Sequence, residues 1–159
     1  MVRQVQIKDI PRIAEIIVFG KRVAYRPIFR NDRVSFNELQ VCSVAEEYLS
    51  SPDKINNMRV YDDGIIRGII NFIDYGEVIE LCDFYVDPFF KGKGFGRALI
   101  RSLIEEAKDN GKKQIFLWVI KDNLPARKFY EKNGFHASGQ ERLIDGTSIW
   151  DMHYEVRFV

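Results

Sequence analysis

The run from Cys82 to Ile100, CDFYVDPFFKGKGFGRALI, constrains this chain more than any other. It reads as an apolar strand, a turn marked by Pro88, a glycine-rich loop and the opening of a helix. Gly92, Gly94 and Gly96 leave the loop backbone bare, so several N–H groups can converge on one anion. They do so at a helix N-terminus, where unspent donors and the helix dipole both favour negative charge. Lys91, Lys93 and Arg97 add positive charge to the same loop. A ligand carrying phosphate is the physical expectation.

Spacing narrows the choice of ligand. The Gly-x-x-x-x-Gly-Lys-Ser/Thr run of a nucleotide-binding P-loop does not occur. A dinucleotide fingerprint read from Gly94 needs glycine at the position held by Leu99. Lys93-Gly-Phe-Gly96 matches the first half of an RNA-recognition strand signature, then breaks at Arg97 and Ala98. Phe95, Ala98, Leu99, Ser102, Leu103 and Ala107 moreover share one helical face, whereas that signature must lie on a strand.

Taken in order, Val2 to Ile7 alternate as a first strand. Asp9 caps a helix with Pro11 in its first turn, and Gly20 ends it after Phe19. Lys21 to Val34 reads as an aromatic and basic connection. Ser35-Phe-Asn-Glu38 is a capping box that opens a second helix, which Ser51-Pro52 stops after Ser50. Met58 to Tyr61, Ile65 to Asp74 and Val78 to Val86 read as three consecutive antiparallel strands, the first two joined at Asp62-Asp63-Gly64. The helix after the glycine loop ends at Asn110-Gly111. Gln114 to Ile120 is a strand, and Asn123 opens a helix that runs to Asn133. Phe135 to Arg142 and Ser148 to Val156 close as a hairpin around Asp145-Gly146. The order predicts an α+β chain with a single mixed, mostly antiparallel β-sheet flanked by helices.

Two stretches carry a family resemblance. Lys91-Gly-Lys-Gly94-Phe-Gly96 resembles the acyl-CoA loop of the GCN5-related N-acetyltransferases (GNAT), whose pattern is Arg/Gln-x-x-Gly-x-Gly/Ala between a strand and a helix. Lysine stands where that pattern has arginine or glutamine. Asn123-x-x-Ala126-x-x-x-Tyr130-Glu-Lys-Asn-Gly134-Phe135 is similar to the family's C-terminal cofactor helix. The order of elements is similar along the whole chain, which implies the GNAT acyl-CoA N-acyltransferase fold as one domain over residues 1–159.

The resemblance implies acetyl-CoA as cosubstrate, a primary amine as acceptor, and no metal. Phe84, Tyr85 and Val86 would offer backbone groups to the pantetheine arm. Lys91, Gly92, Lys93, Gly94, Phe95, Gly96 and Arg97 would hold the pyrophosphate. Asn123 would bond near the pantetheine, and Ala126 would be small enough for the cofactor to pass. Tyr130 is the position that donates a proton to the departing thiolate. Glu80, on the strand before the loop, stands where several members carry a carboxylate base, and others use a chain of waters. By alternation Glu80 shares a face with Cys82 and Phe84, and Asp83 points the other way. The acceptor would meet Tyr25, Phe29, Arg30, Phe36 and Glu80, with residues around Asp145 to Trp150. A small amine or amino acid suits that wall, and so does a protein N-terminus or lysine. A catalytically idle acyl-CoA-binding module is the other reading; intact Tyr130 speaks against it.

Composition bounds the remainder. At 159 residues, 46% hydrophobic and 30% charged, the chain can bury a core of its own. A net charge of +1 gives no reason to expect nucleic acid or a membrane surface as partner. No apolar run approaches the ~18 residues that span a bilayer. Cys42 and Cys82 lie in separate apolar-periodic segments and read as two buried, reduced thiols. His136 and His153 are isolated on predicted strands and read as packed or surface residues. A cytoplasmic protein, with a homodimer permitted, completes the expectation.

Overall fold

A computed structural model describes residues 1–159. Eleven regular elements follow one another: β1 (Val2–Gln4), α1 (Ile10–Phe29), α2 (Val41–Ser50), β2 (Met58–Asp62), β3 (Ile66–Asp74), β4 (Val78–Val86), α3 (Phe95–Asp109), β5 (Gln114–Ile120), α4 (Leu124–Lys132), β6 (His136–Leu143) and β7 (Trp150–Arg157). The strands form one sheet in the order β1-β2-β3-β4-β5-β7-β6. β1 with β2, β2 with β3, β5 with β7 and β6 with β7 run antiparallel, while β4 and β5 run parallel. The mixed, mostly antiparallel sheet expected from the order of elements is therefore found. No helix is long and apolar enough to cross a membrane.

The chain forms two compact units, and the division falls within β3 and β4 themselves. One comprises Met1–Asn71 with Asp83–Leu99, the other Phe72–Cys82 with Ile100–Val159.

In the first unit the core gathers Ile10, Ile13, Ile16 and Ile17 of α1, Ile55, and Met58, Val60, Ile66 and Ile69 of β2 and β3. Each such side chain, buried from water, contributes about 1.5–3 kcal/mol. Val44, Ala45 and Tyr48 of α2 and Tyr85 of β4 pack against this cluster. The entry to α1 is pinned by Asp9, which accepts from Arg3 Nη1 at 2.7 Å, Arg3 Nη2 at 3.1 Å and the Gln6 N–H at 2.9 Å.

Three helical expectations are corrected here. α1 does not end at Gly20; it continues to Phe29 and stops at Arg30, whose φ of 51° is left-handed. Gly20 serves a close approach instead: a Cβ there would lie 2.8 Å from Cδ1 of Tyr85. Lys21 to Phe29 is accordingly helix rather than connection. Ser35 and Glu38 form no capping box, because Arg33–Glu38 is a π-helical turn and α2 begins at Val41. β1 is also shorter than expected, ending at Gln4.

In the second unit β5 alternates as a half-buried strand must: Ile115, Leu117 and Val119 are buried, and Phe116 and Trp118 are partly open. Leu117 pairs with Tyr154 of β7, whose hydroxyl bonds Arg127 and Glu131 of α4. That face of the sheet therefore takes α4. Phe116, Trp118, His153 and Glu155 project from the opposite face. α3 ends as expected at Asp109, where Gly111 at φ 69° lets the Lys112 N–H reach back to the Ala107 carbonyl at 2.9 Å.

The expected burial of the two thiols is overturned: neither Cys42 nor Cys82 forms a disulfide, and both are exposed. Cys42 sits on the outer side of α2. Cys82 follows buried Leu81 on β4, at the point where the strand passes from one unit to the other.

Candidate active site

The glycine loop lies in the first unit and has the geometry its composition requires. Gly92 and Gly94 have φ of 77° and 87°, a conformation that costs any other L-residue about 1–2 kcal/mol. A Cβ at either would meet nothing within 4 Å, so the backbone stands open. α3 begins immediately after, with the Ala98 N–H bonded to the Gly94 carbonyl. The N–H groups of Gly94, Phe95, Gly96 and Arg97 therefore precede the helical ladder, and none donates elsewhere in the chain. Lys91 and Arg97 make no ion pair. These unspent donors and cations fit a pyrophosphate.

Several residues that the sequence did not single out hold this loop. Asp87 is buried, accepts from the Phe89 N–H at 2.9 Å and receives Arg12 Nη2 at 2.6 Å. Arg67 of β3 places its guanidinium 4.2 Å from the centre of the Phe90 ring and 5.7 Å from that of Phe95. Phe95 also rests on Tyr61, ring centres 4.9 Å apart. Phe95, expected both in the loop and on the apolar face of the helix, is thus the apolar peg that seats the loop on β2. The signal for Arg67 was weak, because arginine on a strand usually faces water.

Along β4, the ladder to β5 pairs Val78 through Leu81 with Gln114 through Leu117. β4 then continues through Phe84, Tyr85 and Val86. Gly68 of β3 comes close to this end of the strand: a Cβ on it would lie 2.9 Å from the Tyr85 carbonyl oxygen and 3.3 Å from the Val86 Cα. Glu80 is half-buried and accepts from the Tyr75 hydroxyl at 3.1 Å, which pushes that phenol's pKa up. Asp83 lies 3.4 Å from Asn71 Nδ2 and has no ion-pair partner. Its charge, after burial, raises the Tyr48 phenol to about 12.

Of the acceptor residues named from sequence, Tyr25, Phe29, Arg30 and Phe36 lie in the first unit, whereas Glu80 and Asp145 to Trp150 belong to the second. Tyr25 and Phe29 meet edge to face at 6.1 Å, and the Tyr25 hydroxyl lies 3.1 Å from that of Tyr85. Phe36 lies instead under Arg22 and Arg26, their guanidinium carbons 5.2 and 5.3 Å from its ring centre. Arg30 lines a cavity of about 520 Å³ with Arg26, Pro27 and Asp32.

In the second unit, Asn123 caps α4 through its side-chain oxygen, which accepts from the Ala126 N–H at 3.3 Å. That bond fixes the orientation of the side chain and leaves its amide nitrogen uncommitted. Ala126 is half-buried. Tyr130 is buried, with its ring edge-on to Phe129 at 5.6 Å and to Phe135 at 5.7 Å. Tyr130 therefore packs among its aromatic neighbours as well as carrying a hydroxyl.

Comparison with known proteins fits this architecture. The family model for the acetyltransferase (GNAT) family matches residues 24–135. An N-acetyltransferase of Methanocaldococcus jannaschii is 44% identical over 66 residues, 42% of this chain and 29% of that protein. The streptothricin acetyltransferase of Streptomyces lavendulae is 30% identical over 94 residues, 57% of this chain and 50% of that protein. The chain thus spans half or less of the length of these two relatives. Among solved structures, the PaiA N-acetyltransferase of Thermoplasma acidophilum in complex with coenzyme A superposes with a TM-score of 0.77. It is 20% identical, and the match covers 99% of this chain and 98% of that one. The chain belongs to the acetyltransferase (GNAT) family.

Proposed function

We propose that this chain transfers an acetyl group from acetyl-CoA to a primary amine. The observation that carries the reading is the loop before α3, with two glycines at positive φ and four N–H groups unspent. It supports pyrophosphate binding by Lys91 to Arg97, with the backbone of Phe84, Tyr85 and Val86 serving the pantetheine arm. Asn123 and Ala126 border the same cofactor in this reading.

Transfer is direct. An alkyl ammonium has a pKa near ~10.4, so it must lose a proton before it can attack. Glu80, acting itself or through ordered water, takes that proton. The amine nitrogen then attacks the thioester carbonyl, the carbon–sulfur bond breaks, and Tyr130 protonates the thiolate. With a thiol pKa near ~8.5 and a phenol near ~10 this transfer is slightly uphill, and the proton that the amine nitrogen sheds as the amide forms restores the phenol and completes it. The acceptor is a small amine or amino acid. The aromatic pair Tyr25–Phe29 supports this, as does the relative named for streptothricin.

The test is thermal unfolding with and without acetyl-CoA, repeated over a panel of small amines and short peptides. Acetyl-CoA at ~100 times its dissociation constant should stabilise the fold by about 2.7 kcal/mol, a shift of a few degrees. A further shift with one acceptor, accompanied by thiol release, identifies the substrate class. An unchanged melting curve with acetyl-CoA would sink the proposal.

A further inference from the structure

One titratable group in the second unit is built as a site although nothing above uses it. His153 of β7 is 8% exposed, and its Nδ1 lies 2.8 Å from Ser138 Oγ. Nε2 has no partner in the chain, yet it is not sealed from solvent, since no buried polar side-chain atom lacks a partner. Phe116 stacks on the ring at 5.2 Å and 22°, and Trp118 meets it edge-on at 5.1 Å.

The sheet is deformed to make this contact. Ala137 pairs with Tyr154 and Glu141 with Met152, so Ser138, Gly139 and Gln140 stand opposite the single residue His153. Gly139, at φ 93°, carries the bulge. A bulge re-aims a side chain, and here it turns the Ser138 hydroxyl onto the imidazole. The register also places Glu80 on the same face, because Glu80 pairs with Phe116, and Trp118, the next residue on that side of β5, pairs with His153.

We infer that His153, its tautomer set by Ser138, is the proton relay of this site, receiving at Nε2 the proton that Glu80 or its water takes from the acceptor ammonium. This rests on the acetyltransferase reading and deepens it. An imidazole, ordinarily near ~6.5, is a stronger base than a carboxylate near ~4.3 and accepts the proton from it. With Nδ1–H donated to Ser138 Oγ, the lone pair sits on Nε2. The proton balance closes. The ammonium loses one proton to Nε2 and thence to solvent. Its second proton leaves the nitrogen as the amide forms and restores the phenol of Tyr130, which has protonated the thiolate.

The charges facing the ring come from several strands. Glu80 of β4 and Glu155 of β7 favour the imidazolium. Arg142 of β6, 4.1 Å over Trp118 and paired with Asp151, opposes it. Burial opposes it most, so the imidazole titrates below its ordinary value and is neutral at pH 7.

The chain has only two histidines, His136 and His153, so nitrogen-15 NMR resolves both. At pH 7 His153 should carry its proton on Nδ1, and Glu80→Gln should lower its titration midpoint. An Nε2–H tautomer, or a midpoint indifferent to Glu80→Gln, would overturn the relay. With an amine found by thiol release, His153→Gln should lower kcat/KM about 10–100-fold at pH 7 and remove the acid limb, which lies below the ordinary imidazole value. Ser138→Ala should shift that limb while acetyl-CoA still raises the melting temperature. A limb unmoved in both variants defeats the relay alone, while a wild-type protein indifferent to acetyl-CoA defeats the acetyltransferase reading.

Discussion

Gly20 of α1 lies directly against Tyr85 of β4: a Cβ added at Gly20 would fall 2.8 Å from Cδ1 and 3.1 Å from Cβ of the tyrosine. The contact lets the ring lie flat enough for its hydroxyl to reach Tyr25. Gly20→Val should therefore destabilise the fold by about 1–3 kcal/mol, the usual cost of overpacking. Gly20→Ala should cost less, because alanine regains about 1 kcal/mol of helix propensity. Urea unfolding of both variants checks the order.

Tyr130→Phe keeps the ring that packs on Phe129 and Phe135 and removes the hydroxyl proposed as proton donor. We expect kcat to fall about 100-fold with the acetyl-CoA melting shift retained. The defect should shrink above pH ~8.5, where a thiolate leaves without help. Thiol release measured from pH 7 to 9.5 distinguishes this from a packing defect, which would lower the rate at every pH.

The loop before α3 is tested by Lys91→Ala combined with Gly94→Glu. The second change forces a side chain onto a φ of 87° and puts a carboxylate beside the unspent N–H groups. Acetyl-CoA should no longer raise the melting temperature. Undiminished affinity in this variant would remove the loop from the cofactor site.

Acid stability should depend on Asp9. The Arg3 guanidinium, and then the Gln6 N–H, hold its carboxyl below the ordinary carboxylate range against the opposing effect of burial. A lowered folded-state value means the stabilisation is present above the unfolded pKa of ~3.9 and is lost as pH falls through the folded one. Asp9→Asn should cost about 1.5–3 kcal/mol at pH 7, the range for hydrogen bonds to charged groups, and flatten the acid transition. Circular dichroism from pH 7 to 2 measures it.

Tyr48 should ionise late. Burial, then the charges of Asp83 and Glu47, push its phenol up to about 12. Because the folded-state value is raised, its contribution is intact below ~10 and disappears as pH rises through about 12. Absorbance titration at alkaline pH should lose a late-titrating phenol in Tyr48→Phe. Asp83→Asn should bring it down.

The sequence announced those parts of the molecule that backbone chemistry decides locally. Gly94 could adopt the left-handed turn before α3, Asn123 could cap α4, and Asn110-Gly111 could close α3, each within a few residues. It misled where tertiary contact overrides propensity. Gly20 reads as a helix end on propensity alone, yet it is held in mid-helix by the ring of Tyr85, 65 positions away. Ser35 and Glu38 have the spacing of a capping box, but Arg22 bonds the Ser35 and Leu39 carbonyls and holds that segment as a π-turn. Cys82 lies in an apolar segment and is nonetheless open, because Ile79 and Leu81 take the buried side of β4. His153 looked solitary because Ser138, its partner, is delivered by a bulge that leaves no mark beyond a Ser-Gly pair.

That bulge bears on how the chain behaves in company. β6 is the last strand of the sheet and every residue of it is exposed, the situation in which a protein invites another strand to join. Ser138 to Gln140 interrupt its ladder, Glu141 and Arg142 charge it, and Gly139 twists it. A neighbouring molecule therefore finds no straight run of N–H and C=O groups to copy. The distortion that presents a hydroxyl to an imidazole also guards the open border of the sheet against stacking into fibres.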